Sequence, residues 1–206
     1  MLLTKNIIMI RLCHSTCKTY KKLKNCNELF ILQNSSEDIS FYPCSSCSCP
    51  PDNYVKNGSY TRSFICVING KIKDESVIVN VKKCSSCNHS HALLHYLIVP
   101  YSRYSLGFLV TLIYFKLTNR FGTVKELCAH FGISIKTYHR IIKRLKQDSH
   151  ALIMAMDEYS DILSMIKILC RGPFKNIPTI LNTFFKVSGH SFLQPCVTLR
   201  LTWNST

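Results

Sequence analysis

The residues best suited to chemistry in this chain are two cysteine pairs with the same spacing, Cys44-Ser-Ser-Cys47 and Cys84-Ser-Ser-Cys87. In a CxxC turn, two thiolates can reach one ion while backbone N–H groups donate hydrogen bonds to the sulfurs. Two such turns together supply the four sulfur ligands of a tetrahedral Zn²⁺ site. The spacing therefore predicts a structural zinc site made by Cys44, Cys47, Cys84 and Cys87. Four thiolates leave no coordination position for a catalytic water molecule.

Nearby cysteine and histidine residues leave the ligand set open at this stage. Cys49 is an alternative to Cys47, and either His89 or His91 is an alternative to Cys87. The matched CxxC spacing favours the four-cysteine set. A redox role would require one CxxC beside a helix in a thioredoxin-like unit, which the β-rich surroundings of both pairs do not provide.

A second pattern, over residues 123–146, predicts two helices joined by a sharp turn. Thr123 and Glu126 have the spacing of a capping box at the start of the first helix. Gly132 can adopt the left-handed conformation that ends this helix, and Ser134 can cap the next one. A small residue at the helix crossing and a bulky apolar residue six positions after the glycine complete the spacing of a DNA-binding helix-turn-helix.

The second of these helices is amphipathic. Its apolar face consists of Tyr138, Ile141, Ile142 and Leu145. This face is expected to pack against an apolar stripe on the first helix, which consists of Val124, Leu127, Cys128 and Phe131. In a helix-turn-helix, the N-terminal part of the second helix contacts base edges and its basic part contacts phosphates. We predict DNA contacts from Ser134, Lys136, Thr137, His139, Arg140, Lys143 and Arg144. Arg140 is the best guanine reader, because a guanidinium can bond O6 and N7 together.

The charge balance supports a polyanionic partner. The chain has 206 residues with 26 Lys and Arg against 11 Asp and Glu, a formal net charge of +15. Residues 116–147 hold eight of those basic residues and a single acid, Glu126. The 47% hydrophobic content excludes a disordered basic tail. The composition alone leaves nucleic acid and an anionic membrane surface as partner classes.

Two apolar segments bear on the cellular compartment. The run near the N-terminus, between Lys5 and Arg11, is too short for the apolar core of a signal peptide. Residues 93–115 are apolar but are interrupted by Pro100 and Arg103, so we expect a buried helix and no membrane span. The sequence therefore predicts a cytoplasmic, nucleoid-associated protein in a reducing environment, where cysteine pairs favour metal. The other apolar cysteines are expected in the core: Cys66, Cys128, Cys170 and Cys196.

The pattern along the chain predicts an α+β fold with a small β-rich zinc ribbon followed by an all-α helix-turn-helix domain. Residues 1–40 form an N-terminal segment of unclear structure, and residues 41–92 form the four-cysteine zinc ribbon. Within the ribbon, two β-rich segments are expected to form a hairpin with a loop of Asn69-Gly70 and KIKDE. Residues 93–169 form the helical domain, and residues 170–206 form short helices or loop, with residues 178–193 as a packing element or a dimer-forming helix.

Several motifs resemble a family of uncharacterised bacterial proteins, common in low-GC Gram-positive genomes. They are both CxxC pairs, Asn57-Gly-Ser-Tyr-Thr-Arg62, His91-Ala-Leu-Leu, Val99-Pro-Tyr-Ser-Arg-Tyr-Ser105, the helix-turn-helix and Phe192-Leu-Gln194. Members join an N-terminal zinc ribbon to a helix-turn-helix and are similar to the N-terminal regions of insertion-sequence transposases. The resemblance covers about residues 41–194, and His95 stands where the family is expected to have proline.

The resemblance implies a transposase-related or mobile-element-associated protein that binds double-stranded DNA. A carboxylate-type transposase needs three acids on a large α/β domain that holds Mg²⁺, and too few residues follow Leu145 to form one. The acids in this part are expected on the solvated face of one helix: Asp148, Asp157, Glu158 and Asp161. We therefore expect no enzymatic activity, with a transposase catalytic subunit or a second copy of the chain as further partners. A transcriptional regulator and a zinc-ribbon adaptor remain as alternative functions.

Overall fold

The fold combines a sheet with a group of helices, which confirms the α+β class predicted from the sequence. We describe it from a computed structural model, for residues 8–12, 43–44, 46–68, 70–95, 98–154, 161–171 and 177–195. Cys196 and the acids Asp157 and Glu158, for which the sequence made predictions, lie outside these residues. Within the same ranges, no helix is both long enough and apolar enough to cross a bilayer.

The sheet has four strands in the order β1-β4-β3-β2. Strand β1 covers Ile8–Leu12, β2 covers Tyr54–Ile68, β3 covers Lys71–Cys84 and β4 covers Ser90–His95. Strands β2, β3 and β4 pair antiparallel, while β1 joins β4 in parallel. The long β2–β3 hairpin therefore brings the start of β2 back to the end of β3, where the two cysteine pairs lie.

The hairpin connection is shorter than the sequence analysis predicted. Ile68 pairs directly with Lys71, so only two positions separate the strands and KIKDE belongs to β3. Gly70 has a φ of 74°, which suits the tight two-residue turns that connect antiparallel strands. The prediction of a longer loop was wrong. The charged residues of KIKDE have low strand propensity, but Asn-Gly strongly favours a two-residue turn and this preference outweighs it.

The apolar segment over residues 93–115 is not one helix, contrary to the sequence analysis. Its first residues belong to β4, which continues past residue 92, and its helical part begins only at Leu106. Leu93 and Leu94 point to opposite faces of the sheet and both are fully buried. A strand covered on both faces has no polar alternation, so its sequence is indistinguishable from a stretch of buried helix.

In the described part of the chain, five helices follow the sheet: α1 (Leu106–Leu117), α2 (Val124–Phe131), α3 (Ile135–Met154), α4 (Ile162–Arg171) and α5 (Ile177–Ser188). Helix α1 is the central one, since six of its twelve residues are buried in the main core. That core also contains apolar residues from all four other helices. A second cluster lies on the sheet around Phe64, Val79 and Leu94. Cys66 and Cys128 are buried and Cys170 is half-buried.

The C-terminal segment packs onto the helical core through α5 and the turn after it. Leu181, Phe184, Phe192 and Leu193 are all buried in the main core, which supports the packing element that the sequence analysis offered as one alternative for this segment. The turn is attached to α3 by Asp148, whose carboxylate accepts hydrogen bonds from other parts of the chain.

Asp148 is not on a solvated helix face, contrary to the sequence analysis. It is 5% exposed, its Oδ1 lies 3.0 Å from His190 Nε2, and its Oδ2 accepts a hydrogen bond of 2.7 Å from the backbone N–H of Leu193. Asp161 belongs to another element, since it caps the first turn of α4 through Ser164. An acidic residue within a basic amphipathic helix is normally exposed to solvent. Its burial cannot be predicted from the helix alone, because it depends on a segment that is distant in sequence.

Candidate functional site

The four cysteines of the two CxxC pairs converge in space. The sulfur atoms of Cys44, Cys47, Cys84 and Cys87 all lie within 4.8 Å of one another. The Sγ atoms of Cys44 and Cys87 are 3.6 Å apart, and those of Cys47 and Cys84 are 3.7 Å apart. These distances are much longer than a disulfide bond of about 2.05 Å. They match the edge of about 3.8 Å expected for a tetrahedron with metal–sulfur bonds of about 2.3 Å. The cluster can hold a metal ion.

The two CxxC turns have the same backbone geometry. In the first, the N–H of Ser48 donates to the carbonyl of Cys44 over 2.6 Å, and in the second the N–H of Asn88 donates to the carbonyl of Cys84 over 2.9 Å. Ser48 and Asn88 both have left-handed φ values, 58° and 61°. In each turn the N–H of the first cysteine also donates to the carbonyl five residues on, over 3.0 and 2.9 Å. The two turns therefore repeat one loop geometry, and each loop brings two thiols to the same cluster.

The hairpin explains how the two turns come together. Tyr54, the first residue of β2, pairs with Cys84, the last residue of β3. The N–H and the hydroxyl of Ser85 both donate to the carbonyl of Asn53, over 2.8 and 2.9 Å. The chain just before β2 is thereby attached to the chain just after β3. The cysteine pairs, separated by 36 residues in sequence, meet because each flanks one end of this hairpin.

The backbone of the turns favours thiolate at the first position of the second pair. Hydrogen bonding by the backbone of Cys87 and Ser86 lowers the pKa of the Cys84 thiol to about 6, against the opposing effect of burial. The pKa of Cys87 is raised, although the backbone of His89 acts in the opposite direction, because burial and the neighbouring thiols of Cys44 and Cys84 disfavour its ionised form. Four adjacent thiolates require a cation to balance their charge, which is the condition for tight metal binding.

The alternative ligands from the sequence analysis lie outside the four-sulfur group, which among the described residues contains neither Cys49, His89 nor His91. Cys49 is half-buried and His89 is exposed. His91 is fully buried, with its Nε2 atom 3.4 Å from the Cys44 sulfur. His91 therefore contacts the four-cysteine cluster through the thiol of Cys44. The sequence named His91 only as an alternative ligand to Cys87, and its contact with Cys44 depends on the pairing of β4 with β3.

His91 is predicted to strengthen metal binding by donating its Nε2–H to the Cys44 thiolate. Residues that orient metal ligands in this way contribute about 10- to 100-fold to metal affinity. We therefore expect His91→Leu to weaken the affinity of the cluster for added Zn²⁺ about tenfold or more, measured by competition with a chelator. His91→Gln, whose amide can also donate to sulfur, is expected to restore most of the loss. Equal affinities for the two variants would assign His91 to packing alone.

The second candidate region is the pair of helices α2 and α3. The Thr123 hydroxyl accepts a hydrogen bond from the N–H of Glu126 over 3.2 Å and caps α2. Gly132 has φ 61° and ψ 34° and ends α2 with two backbone bonds, from its own N–H to Ala129 and from Ile133 to Cys128. These are the bonds of a Schellman motif. The caps therefore lie where the sequence predicts them.

The two helices pack through the residues that the sequence assigned to their apolar faces. Cys128 and Tyr138 are each 4% exposed, and Val124 and Ile142 pack against the main core as half-buried residues. Burial and the neighbouring Cys128 raise the pKa of Tyr138, which is consistent with their contact at the crossing of the helices. The opposite face of α3 is thereby directed to solvent.

The predicted DNA-contacting residues lie together along this outer face of α3. Lys136, His139, Arg140 and Lys143 are exposed, and Arg144 is half-buried. Ser134 and Thr137 are partly engaged in capping, since the Ser134 hydroxyl accepts the N–H of Thr137 over 3.1 Å and lies 3.0 Å from its hydroxyl. Their first role is therefore to start the helix, and the charged side chains beyond them form the accessible surface.

Comparison with known proteins assigns no family and no function to the chain. No protein-family model matches the chain, and neither a curated protein nor a solved structure matches it at a significant level.

Proposed function

We propose that this chain is a sequence-specific DNA-binding protein with a structural zinc site. The observation that carries the proposal is the outer face of α3, where Lys136, His139, Arg140 and Lys143 are exposed while Tyr138 on the other face is buried. A helix with one anchored face and one exposed basic face, entered through a tight glycine turn, has the form of a recognition helix.

In this proposal α2 and α3 act as a helix-turn-helix. The N-terminal part of α3 enters the major groove, where Lys136, His139 and Arg140 contact base edges. Lys143 and Arg144, about one turn further along the helix, contact phosphates. The local charge is strongly favourable, because residues 116–147 hold eight basic residues and one acid.

The metal in this proposal is Zn²⁺, held by Cys44, Cys47, Cys84 and Cys87. A closed set of four thiolates at tetrahedral spacing is the donor set of structural zinc sites. Together with the β2–β3 hairpin, the two loops form a zinc ribbon. The metal stabilises the end of a sheet whose strand β2 is an edge strand, and we assign it no catalytic role.

The resemblance to transposase-associated proteins extends the proposal to a mobile-element context, with a role in recognising DNA ends beside a separate catalytic subunit. A transcriptional regulator would use the same helix in the same way. The presence of a carboxylate-triad reading frame next to the gene would favour the transposition role, and its absence would favour regulation.

The helix assignment is tested by two substitutions with different expected signatures. Arg140→Ala is expected to weaken binding by about 1–3 kcal/mol at one base position and to relax specificity there. Lys143→Ala is expected to weaken binding to all sequences alike and to reduce the slope of log affinity against log salt by about one. Fluorescence anisotropy over a salt series measures both effects. Unchanged affinity for the preferred sequence after both substitutions would refute the assignment.

The target sequence and the role of zinc are tested by selecting bound duplexes from random DNA, with zinc present and after chelation. A specific consensus in the presence of zinc supports the proposal. Recovery of no consensus, with or without zinc, would instead favour an adaptor that binds a protein partner.

A further inference from the structure

A turn at residues 99–102 contains an unusual choice of residue. The N–H of Ser102 donates to the carbonyl of Val99 over 3.2 Å, with Pro100 and Tyr101 at the centre of the turn. Tyr101 has a left-handed φ of 56°. A proline followed by a residue with positive φ is the pattern of a type II turn, in which the third position favours glycine or asparagine. Tyrosine is a poor choice for this backbone conformation.

Tyr101 gains no burial in exchange for this strain. It is 56% exposed, so its ring adds little to either of the two buried clusters. A side chain that disfavours its own backbone conformation and is mostly exposed does not stabilise the fold, so folding alone does not explain a tyrosine at this position. Strain of this kind is typical of positions where a side chain acts on something outside the fold.

The turn is held rigidly against β2. The guanidinium of Arg62 donates to the carbonyls of Val99 and Ser102, over 2.8 and 2.9 Å, and so closes both ends of the turn. The Ser102 hydroxyl donates to the carbonyl of Tyr104 and accepts its N–H, both at 3.0 Å. The ring of Tyr101 is therefore presented from a fixed backbone, which lowers the entropy cost of binding to it.

A second exposed tyrosine lies beside the same arginine. Tyr60 is two residues before Arg62 on β2, so their side chains share one face of the strand, and it is 42% exposed. Burial lowers the pKa of Arg62, and both Tyr60 and Tyr101 act electrostatically on its guanidinium in the opposite direction. The phenol groups of two partly exposed tyrosines are thus close enough to one clamped guanidinium to interact with it electrostatically.

Few acidic residues lie near the two rings. The nearest acids on the paired strand, Asp74 and Glu75, lie opposite Ile65 and Phe64, at least four residues along β2 from Tyr60. Residues 53–73 and 76–125, which contain both tyrosines, hold no Asp or Glu. Arg103, next to the turn, is exposed. Aromatic rings with a neighbouring cation and few nearby carboxylates suit a polyanion whose units have π faces, which describes single-stranded nucleic acid.

We propose that Tyr60, Tyr101 and Arg103 form a surface that stacks unpaired nucleotides of a DNA strand adjoining the duplex held by α3. Tyr60 and Tyr101 stack on bases and Arg103 contacts a phosphate. The inference rests on the proposed DNA-binding function and adds a second kind of DNA contact, one that does not depend on sequence.

The test compares a blunt duplex, the same duplex with a single-stranded oligothymidine tail, and the tail alone, by anisotropy with the full chain. The tail is expected to tighten wild-type binding about tenfold, the scale of one or two stacked bases. Tyr101→Asn should remove most of this gain without lowering the melting temperature, because asparagine tolerates the left-handed conformation. Tyr101→Phe should retain the gain. Phe185→Ala, which removes a ring that is 41% exposed on α5, is the matched control.

The outcomes separate this inference from the helix proposal. A tail that adds nothing, or a gain that survives combined loss of Tyr60 and Tyr101, overturns the stacking surface while leaving duplex binding by α3 intact. Tyrosine-dependent binding of the tail alone, with no binding of the blunt duplex, supports the surface and overturns the helix assignment. Absence of binding to all three probes overturns both.

Discussion

Replacing Cys47 with serine is expected to abolish stoichiometric zinc binding and to unfold the end of the sheet that carries the cysteine loops. Structural zinc contributes about 10–16 kcal/mol of apparent binding free energy at neutral pH, comparable with or larger than the net stability of about 5–15 kcal/mol of an ordinary domain. A site that loses one of four ligands exchanges it for water and loses much of this contribution. Metal content by native mass spectrometry and thermal unfolding measure the two effects.

Cys47 is the best of the four positions for this experiment because it is exposed, whereas Cys44 and Cys84 are buried. Serine at an exposed position leaves no cavity, so the change reports on the metal and little else. Cys49→Ser is the matched control, since Cys49 lies two residues away and outside the four-sulfur cluster. We expect the control to bind one zinc ion per chain. A Cys47→Ser variant that retains one tightly bound zinc would refute the proposed ligand set.

Replacing Asp148 with alanine is expected to lower the free energy of unfolding by about 2–4 kcal/mol. The substitution leaves the N–H of the fully buried Leu193 without its acceptor, which costs about 1–3 kcal/mol, and removes the charge-assisted contact with His190. The turn after α5 would then lose its attachment to α3. Urea unfolding followed by circular dichroism measures the change.

Two further variants define the origin of this effect. Asp148→Asn keeps an oxygen that can accept the Leu193 N–H and is expected to lose clearly less stability than the alanine variant. Asp161→Ala removes an exposed carboxylate that caps α4, and it is expected to destabilise the chain less than Asp148→Ala because water can replace the lost hydrogen bonds. An Asp148→Ala variant no less stable than Asp161→Ala would show that the buried contact does not hold the C-terminal turn.

The sequence was sufficient for features that depend on nearby residues. The capping of α2 by Thr123 and the left-handed Gly132 follow from local backbone chemistry, and both lie where they were predicted. The CxxC spacing was sufficient to identify the four cysteines whose sulfurs converge, because a tight turn positions two thiols without help from the rest of the chain. The mixed α+β class also followed from hydrophobic periodicity.

Features that depend on distant partners were decided only by the tertiary structure. His91 reaches the Cys44 sulfur because β4 pairs with β3, and Asp148 is buried because the turn after α5 covers it. Leu93 and Leu94 lie in a strand because β4 pairs with β1 on one side and β3 on the other, and both side chains are buried. A residue's own neighbours in sequence determine its turn, cap or helix, whereas its burial and hydrogen-bond partners depend on segments that long-range packing brings beside it.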